Sequence, residues 1–224
     1  MALRQIAEPA VEPITLTEAK NHLRASEPDD DALITGLISA ARMAAENICR
    51  RAFVTQQWEL VIDSFPRRMF FGSIVTVASY EQIIPNLQMM ETGYTVRFRA
   101  GKIELPLARL QSVDYVRYLD ANGVLQTLDP TQYIVDAVSE PGVIAPAYAT
   151  YWPESQSVPN AVRIGFTAGY GDASKVPAGI KSWMLMRIGA LYENREEVAV
   201  GQRVVVLEIP FVDRLLDPYR IASL

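Results

Sequence analysis

DDDALITGLISAARMAAENICRR, residues 29–51, decides how the rest of the sequence is read. Leu33, Leu37, Ala41, Ala44 and Ile48 recur at spacings of four and three, with Ile34, Ile38 and Ala45 alongside. That is a wide apolar stripe at the period of an α-helix. Asp29, Asp30 and Asp31 stand at the positive end of the helix dipole, and Arg50 and Arg51 at the negative end. At 1.5 Å per residue the element is roughly 33 Å long. Burying each large side chain of the stripe is worth roughly 1.5–3 kcal/mol before the entropy of ordering it. The helix therefore needs partners, and its many alanines allow neighbouring helices to come close.

Outward from this helix, the N-terminal side holds a second, shorter one. Thr15 and Glu18 form a capping box, each side chain satisfying an unpaired backbone amide of the first turn. This helix ends near Arg24, and Ser26-Glu27-Pro28 turns the chain into the long helix. Residues 1–13 carry two prolines and no periodicity, and read as a flexible or extended arm.

After Arg51 the period changes from 3.6 to 2. Trp58, Leu60 and Ile62 alternate with Gln57, Glu59 and Asp63, the pattern of a half-buried strand closed by Pro66. Further strands are expected at Ile74–Val77, Tyr94–Arg99 and Ile103–Leu105, with a turn at Met89–Gly93 and a tight hairpin at Ala100-Gly101-Lys102. Val113–Leu119 and Val124–Leu128 flank Asp120-Ala121-Asn122-Gly123, the clearest hairpin in the chain. Short strands follow at Tyr133–Val135 and Val143-Ile144, then an ordered loop rich in proline and aromatics from Ala145 to Pro159. Val162, Ile164, Phe166 and Ala168 mark the last good strand. Helical period returns at Pro177, with Ile180, Trp183, Met184, Ile188, Leu191 and Tyr192 on one stripe and Asn194 as a stop. A β-branched run, Arg203–Glu208, leads through Ile209-Pro210 into a last short helix, Phe211–Tyr219.

The order is helices, strands, helices. The expected fold class is α+β: a helical bundle built by the N- and C-terminal helices from residues 14–53 and 174–224, with a large β-rich insertion at 54–173. The 224-residue chain is 50% hydrophobic and 21% charged, enough for one large or two small domains. Its formal net charge of −5 argues against a nonspecific nucleic-acid or anionic-membrane binder. Cys49 is the only cysteine, so no intrachain disulfide forms and a reducing compartment fits. The first residues lack the apolar core of a signal peptide, and no apolar run approaches the ~20 residues of a membrane span. The expectation is a soluble protein made in the cytoplasm.

Chemistry-bearing residues are sparse. His22, the only histidine, has no partner that the sequence can supply. Cys49 lies one position from the apolar stripe and reads as a small buried hydrophobe. One His and one Cys make no zinc ligand set, and Asp29–Asp31 lacks the spacing and glycine of a calcium loop. Ala168-Gly169-Tyr170-Gly171-Asp172 lacks the third glycine of a dinucleotide fingerprint and reads as a strand-to-helix turn. No cofactor is expected, and no catalytic or metal residue. Carboxylate pairs such as Glu196-Glu197, or Glu154 with Asp172, keep a carbohydrate hydrolase as the runner-up reading. Loop aromatics are candidate interface anchors: Phe70-Phe71, Tyr148, Tyr151-Trp152 and Phe211. Val204, Val205, Val206, Leu207, Ile209 and Phe211 form an apolar run near the C-terminus that either docks on a partner or packs on its own bundle.

Several ordered segments together resemble the head–tail connector, or adaptor, proteins of tailed phages. They are Pro13–Arg24 followed by Asp29–Ile34, then Leu105-Pro106 through Leu110–Val113, Phe166–Gly171, Val176–Lys181 and Leu191–Glu196. The set spans most of the chain; Arg67–Lys102 departs from it and looks longer than usual. The resemblance implies a structural protein without enzymatic activity, located in the virion neck of a phage or a gene transfer agent. It implies a homo-oligomeric ring, commonly a dodecamer, beneath the portal protein. The ring would bridge the portal to the stopper or tail and continue a channel through which DNA passes without sequence-specific binding. It also implies portal docking by the C-terminal part. The residues assigned to it are Val204, Val205, Val206, Leu207, Ile209, Phe211, Leu215, Leu216 and Tyr219. The stripe Leu33, Leu37, Ala41, Ala44 and Ile48 is assigned to packing between subunits. A mildly acidic wall suits the passage of DNA, since it repels phosphates. A neck stopper or tail terminator, from the same part of a virion, is a further alternative.

Overall fold

A computed structural model describes residues 2–66, 98–99, 101–194, 212 and 214–221. The strand expected at Ile74–Val77, the turn at Met89–Gly93, Phe70-Phe71, Glu196-Glu197 and the run Val204–Phe211 lie outside the described residues. The chain divides into two compact units: Glu8–Gln56 with Ala168–Leu224, and Met1–Ala7 with Gln57–Thr167.

The first unit is helical. Helix α1, Leu16–Leu23, opens on the capping box: Thr15 Oγ1 accepts from the Glu18 amide at 3.1 Å, and the Glu18 carboxylate accepts from the Thr15 amide at 2.7 Å. It closes on Arg24 in the left-handed region. A 3₁₀ turn at Pro28–Asp30 then feeds α2, Asp31–Cys49, which ends on Arg50 in the same left-handed conformation. Helix α3, Ala178–Glu193, starts after Pro177 and stops at Asn194, as the proline and asparagine signals lead one to expect. The three helices share one core. Ile34, Ile38, Ala41, Ala45 and Cys49 of α2 meet Ile14 and Ala19 on one side and Ile180, Trp183, Met184 and Ile188 of α3 on the other.

The strand-to-helix turn at residues 168–172 also serves this unit. The Tyr170 amide donates to the Phe53 carbonyl and the Thr55 amide to the Gly171 carbonyl, both at 3.1 Å. Gly169 (φ +130°) lies so close to this segment that a Cβ would sit 2.4 Å from the Val54 carbonyl oxygen. Only glycine fits there.

The second unit is β-rich. Strand β1, Ala2–Ala7, pairs antiparallel with β2, Gln56–Ile62. The remaining strands are β3 (Phe98–Arg99), β4 (Lys102–Leu105), β5 (Leu110–Leu119), β6 (Leu125–Thr127), β7 (Tyr133–Asp136), β8 (Gly142–Pro146) and β9 (Val162–Ala168). They form a five-stranded sheet in the order β1-β2-β9-β5-β6 and a four-stranded sheet in the order β3-β4-β8-β7. The β5–β6 hairpin turns where Asn-Gly places it. Asp120 Oδ1 accepts from the Asn122 and Val124 amides, and Gly123 takes φ +78°. Buried residues of this unit include Leu60, Ile62, Ile103, Leu105, Val116, Ile144, Ile164 and Phe166.

Three differences from the sequence reading have physical causes. Residues 2–7, read as part of an arm, form a paired edge strand, because a backbone ladder holds them and no hydrophobic pattern announces it. Strand β2 is buried on both faces toward its end, since Glu59 and Val61 are 4% and 6% exposed. The buried face of α2 is rotated from the expected stripe: Leu33 and Ile48 are 40% and 39% exposed, while Arg42 and Glu46 are buried.

Candidate assembly surface

Helix α2 buries its only charges beyond the first turn and leaves several apolar residues exposed. Arg42 NH1 donates to Glu46 Oε2 at 2.9 Å, one turn away, and Arg42 Nε donates to Glu12 Oε2 at 2.8 Å. The second Glu46 oxygen accepts from the Phe53 amide at 2.8 Å and from Gln56 Nε2 at 2.6 Å. Burial pushes the Glu46 carboxyl above its ordinary range, against the pull of Arg42 and these hydrogen bonds. Burial opposes the Arg42 charge too, but Glu12 and Glu46 outweigh it and hold the guanidinium more firmly charged. An ion pair placed this deep contributes little net stability, yet losing either partner is expensive. Its geometric effect is to fix Glu12 and the chain at residues 53–56 against α2.

With these charges turned inward, the outer face of α2 has none. Its exposed residues between Ala32 and Ile48 are Ala32, Leu33, Thr35, Gly36, Ala40, Met43, Asn47 and Ile48. Met43 is 54% exposed, and a Cβ at Gly36 would meet nothing within 4 Å. Leu33, Gly36, Leu37, Ala40, Met43, Ala44 and Ile48 follow one another at helical spacing, with Leu37 and Ala44 half-buried. A helix facing water normally carries charges on that side; this one offers a flat, small-residue apolar strip instead. Of the expected packing residues, Leu33, Leu37, Ala44 and Ile48 lie on or beside the strip. Ala41 does not: it is fully buried in the chain's own core. Met43, Gly36 and Ala40 complete the strip; the sequence signal for them was the absence of charge at i, i+3 and i+4 positions.

The described part of the C-terminal stretch lies on the same unit. Leu216 is fully buried, and Leu215 and Tyr219 pack against the helical core. Arg51 Nε donates to the Tyr219 carbonyl, and the Ile221 amide donates to the Cys49 carbonyl at 3.1 Å. Leu215, Leu216 and Tyr219, which the resemblance assigns to portal docking, thus pack on their own bundle in this chain. Val204, Val205, Val206, Leu207, Ile209 and Phe211 are outside the described residues.

Groups with reaction chemistry are not assembled among the described residues. Cys49 is fully buried, and burial pushes its thiol up to about 11. His22 lies on the exposed side of α1. No cluster of His, Cys, Asp and Glu able to hold a metal occurs there, and no described helix is long and apolar enough to cross a membrane. A cleft of about 1030 Å³ in the β-rich unit is lined by Phe65, Lys102, Tyr148, Tyr151, Trp152 and Glu154, among others. Trp152 stacks on Phe65 at 4.9 Å between centroids. Among the described residues, Glu154 is the only carboxylate on that lining, whereas glycoside hydrolysis needs two. Asp172 belongs to the other unit.

The family model of phage gp6-like head-tail connector proteins matches residues 13–83, the segment that carries α1, α2 and β2. The matched segment is about a third of the chain. The fold of the whole chain has solved counterparts. It is similar to a chain in the neck of an empty GTA particle computed with C6 symmetry, at TM-score 0.70 and 19% identity, covering 100% of this chain and 97% of that one. The virion of a native gene transfer agent (GTA) particle holds a chain similar at TM-score 0.69 and 19% identity, with the same coverage. The neck of a native GTA particle computed with C12 symmetry holds one at TM-score 0.68, again at 19% identity, 100% and 97% coverage. At such identity the likeness is one of fold. No curated protein matches the chain.

Proposed function

We propose that this chain is a structural head–tail connector of a phage-like particle. Copies assemble as a ring in the neck, beneath the portal, and link the capsid to the stopper or tail while continuing the DNA channel. The observation that carries this reading is the agreement of two independent comparisons: a connector family match on residues 13–83 and a full-length fold match to neck components of gene transfer agent particles. The C12 symmetry of one of those necks supports a ring of twelve copies. The helical bundle of α1, α2 and α3 forms the body of the ring, and the uncharged outer strip of α2 packs against the next copy. The apolar run Val204–Phe211 grips the portal, with Leu215 and Tyr219 beside it; Leu216 holds the end of that stretch to the bundle. The net charge of −5 supports a wall past which DNA slides.

Magnitudes bear on the α2 strip. Covering the exposed fractions of Leu33, Met43 and Ile48 is worth about 1 kcal/mol each on the area scale. Association costs on the order of 4–15 kcal/mol in lost freedom. The strip alone does not hold a ring together, so further surfaces and the portal itself must contribute. The test is the size of the purified protein, alone and mixed with its portal, by mass photometry. A ring-sized species that appears or sharpens on adding the portal is expected. A protein that stays monomeric and does not bind the portal overturns the reading.

A further inference from the structure

We propose that strand β1 is exchanged between copies: in the assembled ring, residues 2–7 of one copy add to the β2 edge of its neighbour. This rests on the connector reading, since it needs adjacent copies. The β2 edge is a built receptor for an added strand. Glu59 is only 4% exposed, and one of its carboxylate oxygens takes the guanidinium of Arg4, with Nε at 3.0 Å and an ion pair through NH2. Its other oxygen accepts from the Tyr115 hydroxyl at 2.7 Å. Tyr115 reaches it from β5 across β9, where Gly165 leaves the room: a Cβ there would lie 2.3 Å from the Tyr115 ring. A carboxylate so placed requires the cation, and the cation arrives on the added strand.

The strand itself gives its own fold little. None of residues 2–7 is buried; Leu3 is half-buried and Ile6 is 51% exposed. The backbone ladder and the Arg4–Glu59 ion pair are contacts that a second copy supplies identically.

Two features mark where the strand pairing ends. The register runs Ala2↔Val61, Leu3↔Leu60, Arg4↔Glu59 and Gln5↔Trp58, then slips so that Ala7 faces Gln57 and Ile6 is bulged out. Beside the slip, the Trp58 indole nitrogen is buried and finds no hydrogen-bond acceptor among the described residues. The slip falls where the chain must leave the sheet. The chain is fixed again at Glu12 by Arg42 and at Ile14 by burial, which leaves Glu8, Pro9, Ala10 and Val11 between the two anchorages. A short, proline-containing hinge between a lightly held strand and a firmly held segment favours exchange over return to the same copy.

The test uses the whole chain, assembled and sized before analysis. In an Ala2→Cys, Val61→Cys, Cys49→Ala variant, exchange yields a covalent ladder of multimers on a denaturing, non-reducing gel of oxidised rings. Rings that give only monomer-sized bands overturn exchange and leave the connector reading standing. A protein that forms no ring under the conditions where the unaltered chain does is read separately, by charge inversion. Arg4→Glu and Glu59→Arg each place like charges together, so each alone assembles roughly tenfold less well. Mixed in equal amounts, exchanged strands pair Glu with Arg on every edge, and ring yield returns. If mixing restores nothing, the strand stays with its own copy and the proposal is wrong.

Discussion

At the scale of single residues, the account rests on groups whose partners are local and exact in type. Thr15 and Glu18 are the simplest. Replacing Thr15 with alanine removes the acceptor for the Glu18 amide and should lower stability by about 1 kcal/mol, read as a shift in denaturation midpoint. The same pair sets a pH dependence. The Thr15 amide, and then its hydroxyl, hold the Glu18 carboxyl below its ordinary value of 4.5. A carboxyl lowered in the folded state contributes stability that is fully present above the ordinary value and lost as the pH falls through the folded one. Acid should therefore weaken α1 in the unaltered protein, and the Thr15→Ala variant, which keeps the backbone amide, should lose only the hydroxyl's smaller share of that acid sensitivity in a circular dichroism titration. Such residues were legible in the sequence because a capping box, a proline before α3 and an Asn-Gly turn act within a few positions. Gly169, Gly165 and Arg4 were not, because each answers to a segment far away in sequence: the Val54 carbonyl, the Tyr115 ring and the Glu59 carboxylate. Nothing near them in the chain reveals the close approach.

At the scale of elements, α2 carries the argument. Its length and helical character were plain from the stripe, and its direction of burial was not. Hydropathy ranks Leu33 and Ile48 above Arg42 and Glu46 for the interior, but the structure does the reverse. The ion pair to Glu12 and the acceptors offered to Phe53 and Gln56 make burial of the two charges tolerable, and a one-residue rotation brings Ile34, Ile38, Ala45 and Cys49 inward. The apolar residues left outside form the strip proposed to pack against the next copy. Leu33→Asp together with Met43→Lys places charge on that strip without touching the core. Solubility and the unfolding midpoint of the monomer should change within about 0.5 kcal/mol, as for ordinary surface substitutions. Ring formation, followed by mass photometry across a dilution series, should fall by at least roughly tenfold, since charges in an apolar contact oppose association. Unchanged assembly would remove α2 from the subunit contact.

At the scale of the molecule, the α+β class and the order of helices, strands and helices were readable from the change of period after Arg51 and its return at Pro177. The pairing of the sheets was not, because β1 shows no alternating hydrophobic pattern and the strand order β1-β2-β9-β5-β6 joins β2 to β9, about 100 residues further along the chain. The ordered segments that resemble head–tail connectors carried the functional reading further than any cluster of side chains; the connector family model matches residues 13–83, and the gene transfer agent chains share the fold. The central claim, a ring in the neck, is tested most directly by cryo-electron microscopy of the intact particle. The account predicts density for this chain as a closed ring around the path of DNA between portal and tail, with the outer face of α2 against the next copy. Density for the chain anywhere else in the particle, or in no closed ring, would contradict it.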